Sequence, residues 1–434
     1  MTILENIEKI HHLFCLHPGI STDTRNLKKG DLFFALSGEN FNGNHFAADA
    51  IKKGAATAIL DDPEYIPEND IRYILVENTL DTLQQLATFH RNQFNIPVLA
   101  ITGTNGKTTT KELCTAVLSS EKKICSTEGN FNNHIGVPLT LLNINKDTEI
   151  AIIEMGANHP GEIAKLCEIA QPTHGLITNI GKAHLEGFGD FQGVVNTKNE
   201  LYRFIKRHAG TVFVNKDNRL LMDLSEDITR ITYGKPNANV EGKPGKADPF
   251  AKTEWYRNGN QINIQTQLYG SYNFSNIMAA IAAGQYFDIS VSEIVRAIEN
   301  YLPENNRSQL FKTQKNTLIL DAYNANPESM ALAIDDFVSH RFSTPVLILG
   351  DMFELGKAAK EEHQIIIEKL KETGFQHIIL VGKDFSRCDV DTYFTRFLTT
   401  KETENYLKTH PIQNAHILIK GSRGMHLETI IQYL

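Results

Sequence analysis

The segment Ile101-Thr-Gly-Thr-Asn-Gly-Lys-Thr-Thr-Thr110 holds the residue types best suited to chemistry. An apolar strand candidate, Val98 to Thr102, runs into it, and a helix candidate from about Lys107 to Ser120 leaves it. Glycines in a strand–turn–helix let backbone N–H groups close on phosphate oxygens, and the helix start adds a positive dipole end. Lys107 can then reach the terminal phosphates, and the Thr108 hydroxyl suits Mg²⁺. Two residues separate Gly103 from Gly106, so the loop is a shortened variant of the usual phosphate loop. An ordinary glycine turn explains the glycines. It does not explain a Lys-Thr pair immediately inside the helix. A nucleoside triphosphate is therefore expected at Gly103, Thr104, Asn105, Gly106, Lys107, Thr108 and Thr109.

Such a site needs acids for its metal. Glu154 stands where the strand candidate 149–153 ends, a usual place for a metal-side carboxylate. Position alone leaves a solvated strand-end glutamate equally open. His184 follows a third strand candidate, in Asn179-Ile-Gly-Lys-Ala-His-Leu-Glu186. A lone histidine among 16 is more often structural, and placement at a third strand end adds weight to a ligand role without reversing that.

The elements that must position these residues alternate. A small α/β unit comes first, with strands at 31–36, 58–60 and 73–76 and helices at 46–56 and 80–94. Pro97 punctuates the chain. Strands at 98–102, 149–153, 175–180 and 211–214, with helices between most of them, imply a mainly parallel sheet covered on both faces. Residues 233–269 are more polar and β-like, and helices at 273–287 and 292–301 follow. After the polar link Pro303 to Arg307, strands at 317–320, 346–349, 377–381 and 416–419 alternate with helices at 327–340, 358–373, 400–409 and 425–433, a Rossmann-like pattern. The expected class is α/β in three domains, 1–96, 97–305 and 306–434.

The 434 residues fit about three domains. The balance of 43 basic against 51 acidic residues, a net of −8, argues against a nucleic-acid-coating protein. No apolar run reaches the roughly 18 residues of a membrane span. Met1 to Leu16 carries acids and lacks a long apolar core, so a signal peptide is not expected. The five cysteines form no CxxC pair, which suits reduced thiols in the cytoplasm.

Further along, several motifs take up the same chemistry. The loop Gly103-Thr-Asn-Gly-Lys-Thr108 is followed by Gly129-Asn-Phe-Asn-Asn133, Ile135-Gly-Val-Pro138 and Glu154-Met-Gly-Ala-Asn158 with Gly161-Glu162. Then come Gly181-Lys-Ala-His-Leu-Glu186, Lys198 with Glu200, Gly270-Ser-Tyr-Asn-Phe-Ser-Asn276 and Arg307. In this order they resemble the Mur ligase family, whose members form amide bonds at the expense of ATP. Ser21-Thr-Asp-Thr-Arg25, Gly30-Asp-Leu-Phe-Phe34 and Gly43-Asn-His45 resemble its uridine-nucleotide domain. Asp321-Ala-Tyr-Asn-Ala-Asn-Pro327, Gly350-Asp-Met-Phe-Glu-Leu-Gly356 and Lys420-Gly-Ser-Arg-Gly424 are similar to the member that adds D-alanyl-D-alanine. Relatives that add the third amino acid usually carry a histidine in the Asp321 motif and a longer arginine-bearing motif, and neither occurs here. Tyr272 departs from the histidine of many relatives, and Asn199 from their glycine.

The resemblance implies ATP as phosphoryl donor, Mg²⁺, and a UDP-MurNAc-tripeptide carboxylate activated as an acyl phosphate before the D-alanyl-D-alanine amine attacks. Another ligase of the superfamily, adding a third residue or glutamate to a folate, is the alternative, and a nucleotide-gated binding module is a reading from another class. Lys107, Glu154, His184 and Lys198 are implied as catalytic, with Thr108, Glu154, His184 and Lys198 serving metal. Lys198 would do so as a carbamate formed with CO₂, since a free ammonium repels Mg²⁺; the residue type alone reads as an exposed helix cation. Asn273 and Asn276 are implied at the adenine, Asp321 at the ribose and Arg307 at the γ-phosphate. Thr22, Asp23, Thr24 and Arg25 are implied at the uridine and pyrophosphate, Asn132 and Asn133 at phosphate or acyl oxygens. Tyr323, Asn324, Asn326 and Arg423 are implied around the dipeptide side. The partners expected are small molecules, with no nucleic acid, no membrane and a monomeric chain.

Overall fold

The computed structural model describes residues 3–17, 19–38, 41–304 and 306–434. The chain forms two compact units, one of residues up to 100 with 123–156 and 164–173, the other of 101–122, 157–163 and 174–434. Among the described residues no helix is long and apolar enough to cross a membrane.

The first unit opens on a helix, Ile3–Leu16, which lies outside the expected elements. Its signal is the spacing of Ile7, Ile10 and Phe14, all buried, which lines one helical face. Four parallel strands follow in the order Ile20–Ser21, Leu32–Phe34, Thr57–Leu60, Tyr73–Leu75. The inner two are buried along their length, as strands of a parallel sheet covered on both faces are. The helix Thr79–Arg91 starts where the Asn78 side chain accepts from Asp81 N at 2.8 Å. Strand Ile124–Ser126 pairs in parallel with Ile150–Glu154.

Strand Val98–Thr102 crosses from the first unit into the second and is wholly buried. In the second unit His174–Ile177, Thr211–Asn215, Thr229–Gly234 and Val240–Pro244 pair in parallel, each with the next. Antiparallel strands Phe250–Arg257 and Asn260–Tyr269 extend them. Arg257 pairs with Asn260 across Asn258-Gly259, whose positive φ values of 51° and 78° make the two-residue turn that favours this dipeptide.

The rest of this unit is a six-stranded sheet in the order Gln309–Lys312, Thr317–Asp321, His416–Lys420, Pro345–Gly350, Ile378–Val381, Thr395–Phe397. Only the Gln309–Lys312 edge is antiparallel. Helices Pro327–Ser339 and Ala359–Glu372 bury Met330, Ile334, Phe337, Ile366 and Leu370 in one core cluster. Leu407, Leu427 and Ile430 fill a second cluster with Leu318, Ile348 and Ile417. The α/β class expected from the alternation is what the chain adopts. The helix expected at 425–433 is instead a 3₁₀ segment, Leu427–Tyr433, entered through His426 at φ 52°. That left-handed residue keeps the 3₁₀ turn Arg423–Met425 and the segment 427–433 from joining into one helix.

Asn316 closes this part of the chain. Its Nδ2 donates to Ile412 O at 2.8 Å and Leu434 O at 2.9 Å, and its Oδ1 accepts from Ala415 N at 3.0 Å. Asn316→Ala strands these buried groups and is expected to cost about 3 kcal/mol, read as a lower urea midpoint. An unchanged midpoint would show that water replaces all three bonds.

Candidate active site

The loop after Val98–Thr102 is shaped by close approach. A Cβ on Gly103, at φ 144°, would lie 2.0 Å from Thr178 Oγ1. Gly106, at φ 78°, is the N-cap of helix Lys107–Ser119, and a Cβ there would lie 2.6 Å from Asn276 Oδ1. Residues 178–181 hold the loop from the next strand end. Thr104 N donates to Asn179 O at 3.0 Å, Gly181 N to Thr104 Oγ1 at 3.0 Å, and Thr178 Oγ1 to Asn105 O at 2.6 Å. The first turn of the helix, with Thr108 and Thr109 buried, directs its N–H groups toward the loop. Lys107 Nζ folds back on its own loop, donating to Gly103 O at 2.8 Å and Thr104 O at 3.0 Å. An ammonium resting on two loop carbonyls beside a helix start is one that a polyphosphate can recruit.

Asn273 and Asn276 lie beneath this loop, and both are buried. Asn276 Nδ2 donates to Asn273 Oδ1 at 2.9 Å and Thr110 Oγ1 to Asn276 Oδ1 at 3.1 Å. Asn273 Nδ2 reaches Tyr269 O at 2.9 Å and Ser308 Oγ at 3.1 Å. The amides thus tie the helix that follows the loop to residues 269–276. Tyr272 sits in the same knot, its Oη 3.1 Å from Ser308 Oγ, and burial pushes its phenol well above the usual range.

Lys198 is on helix Phe191–Arg207, and only 2% of it is exposed. The exposed helix cation that the residue type suggests is therefore overturned. The reason is register: Val194, Lys198, Leu201, Tyr202 and Ile205 share the buried face. Its Nζ stands 5.5 Å from the Phe188 ring centroid. Burial first, then the like charge of Lys107, pushes its ammonium down to about 7, against the opposing pull of Glu162 and Glu200. Glu162 Oε2 accepts from Asn158 N at 2.7 Å and Glu200 Oε1 from Gly161 N at 2.8 Å, which fixes the 158–162 turn near the lysine's helix. His184, at φ 52°, lies with its Nδ1 against the Glu354 carboxylate. Its neighbour Lys182 pairs with Glu362 at 2.9 Å.

Glu154 belongs to the first unit and is 1% exposed. Its Oε1 accepts from Asn132 Nδ2 at 2.8 Å, and its Oε2 has no hydrogen-bond partner among the described residues. A buried carboxylate oxygen left over in this way fits a hard cation such as Mg²⁺, which takes oxygen anions. Asn133 has a different task. Its Oδ1 accepts from Ile135 N at 3.1 Å and Gly136 N at 2.9 Å and starts helix Gly136–Leu141.

At the carboxyl end of strand Thr317–Asp321, Asp321 Oδ2 accepts from buried Lys420 Nζ at 2.5 Å. Two cations lie against Tyr323: the Arg307 guanidinium is 3.7 Å from its ring centroid and that of Arg423 5.3 Å. Asn324 Oδ1 accepts from Ala325 N at 3.0 Å. Asn326 is the N-cap of helix Pro327–Ser339. The loop 350–356 is anchored by Asp351, which accepts from Asp384 N at 2.9 Å and Phe385 N at 3.0 Å. Asp351, His363 and Asp384 cluster within 4.8 Å. Both His363 nitrogens are occupied, Nδ1 by Ala359 O at 2.6 Å and Nε2 by Met352 N at 3.0 Å, so this knot is structural.

In the first unit Thr22, Asp23, Thr24 and Arg25 form a polar turn. The Asp23 carboxylate accepts from Arg25 N at 2.9 Å and Arg25 Nη2 at 2.6 Å, and the guanidinium holds its carboxyl down to about 2. Thr24 O accepts from Lys53 Nζ at 3.2 Å. A cavity of about 680 Å³ in the same unit is lined by Asn42, Asn44, His45 and Asp61. Asn44 Nδ2 donates to Asp61 Oδ1 at 2.8 Å, a pairing 17 residues apart that no local pattern announces.

Three domain models match the chain in succession: Mur ligase family, catalytic domain, at 18–91; Mur ligase middle domain at 101–284; and Mur ligase, glutamate ligase domain, at 306–422. The UDP-N-acetylmuramoyl-tripeptide–D-alanyl-D-alanine ligase of Bacillus subtilis (strain 168) is 34% identical over 429 residues, 96% of this chain and 93% of that protein. A crystal structure of MurF from Acinetobacter baumannii is similar at a TM-score of 0.85 and 31% identity, over 95% of this chain and 92% of that one. MurF ligase from Thermotoga maritima in complex with ADP is similar at 0.85 and 25%, over 96% and 97%. With likeness of this extent along nearly its whole length, the chain belongs to the Mur ligase family.

Proposed function

We propose that the chain is an ATP-dependent amide ligase that joins D-alanyl-D-alanine to UDP-MurNAc-tripeptide, in the cytoplasm and as a monomer. The observation that carries the substrate choice is the 34% identity over 96% of the chain to a ligase of that name. The phosphate loop supports the phosphoryl donor independently. We place the domain limits at 1–96, 97–305 and 306–434.

Joining a carboxylate to an amine in water is uphill, and a carboxylate is a poor electrophile. Transfer of the γ-phosphoryl group of ATP to the tripeptide carboxylate makes an acyl phosphate. The dipeptide amine attacks the acyl carbon, and phosphate leaves with the former carboxylate oxygen. Both steps collect negative charge on oxygen, so positioning and electrostatics carry the catalysis. Lys107 leaves its loop carbonyls for the β- and γ-phosphates. Arg307, which stacks on Tyr323, is our candidate for a second cation. Thr108, His184 and a carbamylated Lys198 in the second unit, and Glu154 in the first, are each our candidates for a Mg²⁺ ligand, and the cation when bound neutralises phosphate charge. Thr22 to Arg25 and the cavity beside His45 are our candidates for the uridine nucleotide. Asp321 is our candidate at the ribose, Asn132 and Asn133 at phosphate or acyl oxygens, and Tyr323, Asn324, Asn326 and Arg423 on the dipeptide side.

The test is phosphate release by purified protein with ATP, Mg²⁺, UDP-MurNAc-tripeptide and D-alanyl-D-alanine, omitting each in turn. Release that needs both acceptors, with the pentapeptide product seen by mass spectrometry, is expected. Release with neither, or only with a different amino acid, would overturn the substrate assignment.

A further inference from the structure

Asn105, in the middle of the phosphate loop, is held from two sides of one compact unit. Its backbone is held by the strand end below it: its N donates to Asn179 Oδ1 at 2.9 Å and its O accepts from Thr178 Oγ1 at 2.6 Å. Its side chain is held by a helix start more than 200 residues away. Asn326 Nδ2 donates to Asn105 Oδ1 at 2.7 Å, and Asn105 Nδ2 donates to Glu328 Oε2 at 2.9 Å.

This arrangement is built. Asn326 spends its other amide atom, Oδ1, on Ser329 N at 2.9 Å, which fixes the amide plane that meets Asn105. Glu328, in the first turn of helix Pro327–Ser339, lies against Gly181, where a Cβ would come within 1.8 Å of its Oε2. Gly181 in turn donates to Thr104 of the loop. Two further carboxylates of the same C-terminal segment engage the adjoining loop, Glu362 at Lys182 and Glu354 at His184. A carboxylate beside a phosphate loop repels the phosphates it must receive. Its retention makes sense if the hydrogen bond to Asn105 outweighs that repulsion.

We propose that Asn326 and Glu328 are positioning residues for the phosphate loop: they hold the Asn105 side chain, so that nucleotide binding is coupled to docking of helix Pro327–Ser339. The inference rests on the proposed function only for the loop's being a nucleotide site. It needs no ligase turnover. By linkage, nucleotide that favours the docked helix must be favoured by it.

The two effects of Glu328 have opposite signs, which separates them. Glu328→Gln removes the charge and keeps an amide oxygen to accept from Asn105. Glu328→Ala removes both. The expected result, by calorimetry with ADP and Mg²⁺ on the full chain, is that Glu328→Ala binds about fivefold more weakly than Glu328→Gln, in the range of one partly exposed hydrogen bond. In an Asn105→Ala background the two Glu328 variants should agree within twofold. ADP should also slow amide hydrogen exchange over residues 326–332 in the wild type and in Glu328→Gln, and less in Glu328→Ala. Equal affinities of the Ala and Gln variants with Asn105 intact, an unchanged difference in the Asn105→Ala background, or exchange at 326–332 indifferent to ADP would each overturn the proposal. If the wild type binds no ADP at all, the nucleotide site itself is refuted, and this inference with it.

Discussion

Replacing Lys198 by alanine is expected to lower turnover about 10²–10³-fold, the range for losing one preorganised charge where charge develops in the transition state. The argument starts from burial. A lysine 2% exposed on the apolar stripe of helix Phe191–Arg207 is not there for solvation. Burial and the nearby Lys107 cation lower its ammonium to about 7, so near neutrality a large share is free amine. Only the free amine adds to CO₂, forming an N–C bond and releasing one proton as the carbamate anion forms. The same Lys107 charge that disfavours the ammonium favours that anion. An oxygen anion is also what a hard cation takes as ligand. Lys198→Met, which keeps most of the volume, should lose as much activity as Lys198→Ala, and thermal melts report whether either fails to fold. Formate should partly rescue the alanine variant. Labelled bicarbonate should give a carbamate carbon signal in the wild type that both variants lack. No such signal, together with unimpaired turnover in Lys198→Ala, would sink the assignment.

How much of this was legible in the sequence depends on the range of the interaction. The loop 103–109 was readable because its requirements are local: glycines where backbone closes in, then Lys-Thr inside the helix. Strands such as Val98–Thr102 and Ile150–Glu154 were readable because a parallel sheet buried on both faces demands continuous apolar runs. The turn at Asn258-Gly259 and the stripe Ile7, Ile10, Phe14 carry local signals of the same kind. Lys198 is between these cases. Its residue type says surface, yet its spacing from Val194, Leu201 and Ile205 says core, and the spacing wins because the helix has one buried face. The 3₁₀ segment at 427–433 looked helical by composition, and the left-handed His426 that alters it has no composition signal. Contacts such as Asn44 with Asp61 and Asn105 with Glu328 join distant segments. A single sequence holds nothing periodic that marks them.

Glu154→Gln is expected to move activity and stability in opposite directions. The carboxylate is 1% exposed, with one hydrogen bond from Asn132 and an Oε2 that has no partner among the described residues. Burying a carboxylate with so little compensation costs several kcal/mol even after relaxation. Binding of a divalent cation recovers that cost. Glutamine keeps the shape and removes the charge. In buffer with a chelator, Glu154→Gln should therefore be more stable than the wild type by about 1–2 kcal/mol, since a poorly paired buried charge is gone. Added Mg²⁺ should raise the wild-type melting temperature and leave the variant's nearly unchanged, because the cation stabilises only the form that binds it. Turnover should fall about 10²–10³-fold. If Glu154→Gln is instead less stable in chelator, or still responds to Mg²⁺ as the wild type does, Glu154 is a structural acid and the cation is held elsewhere.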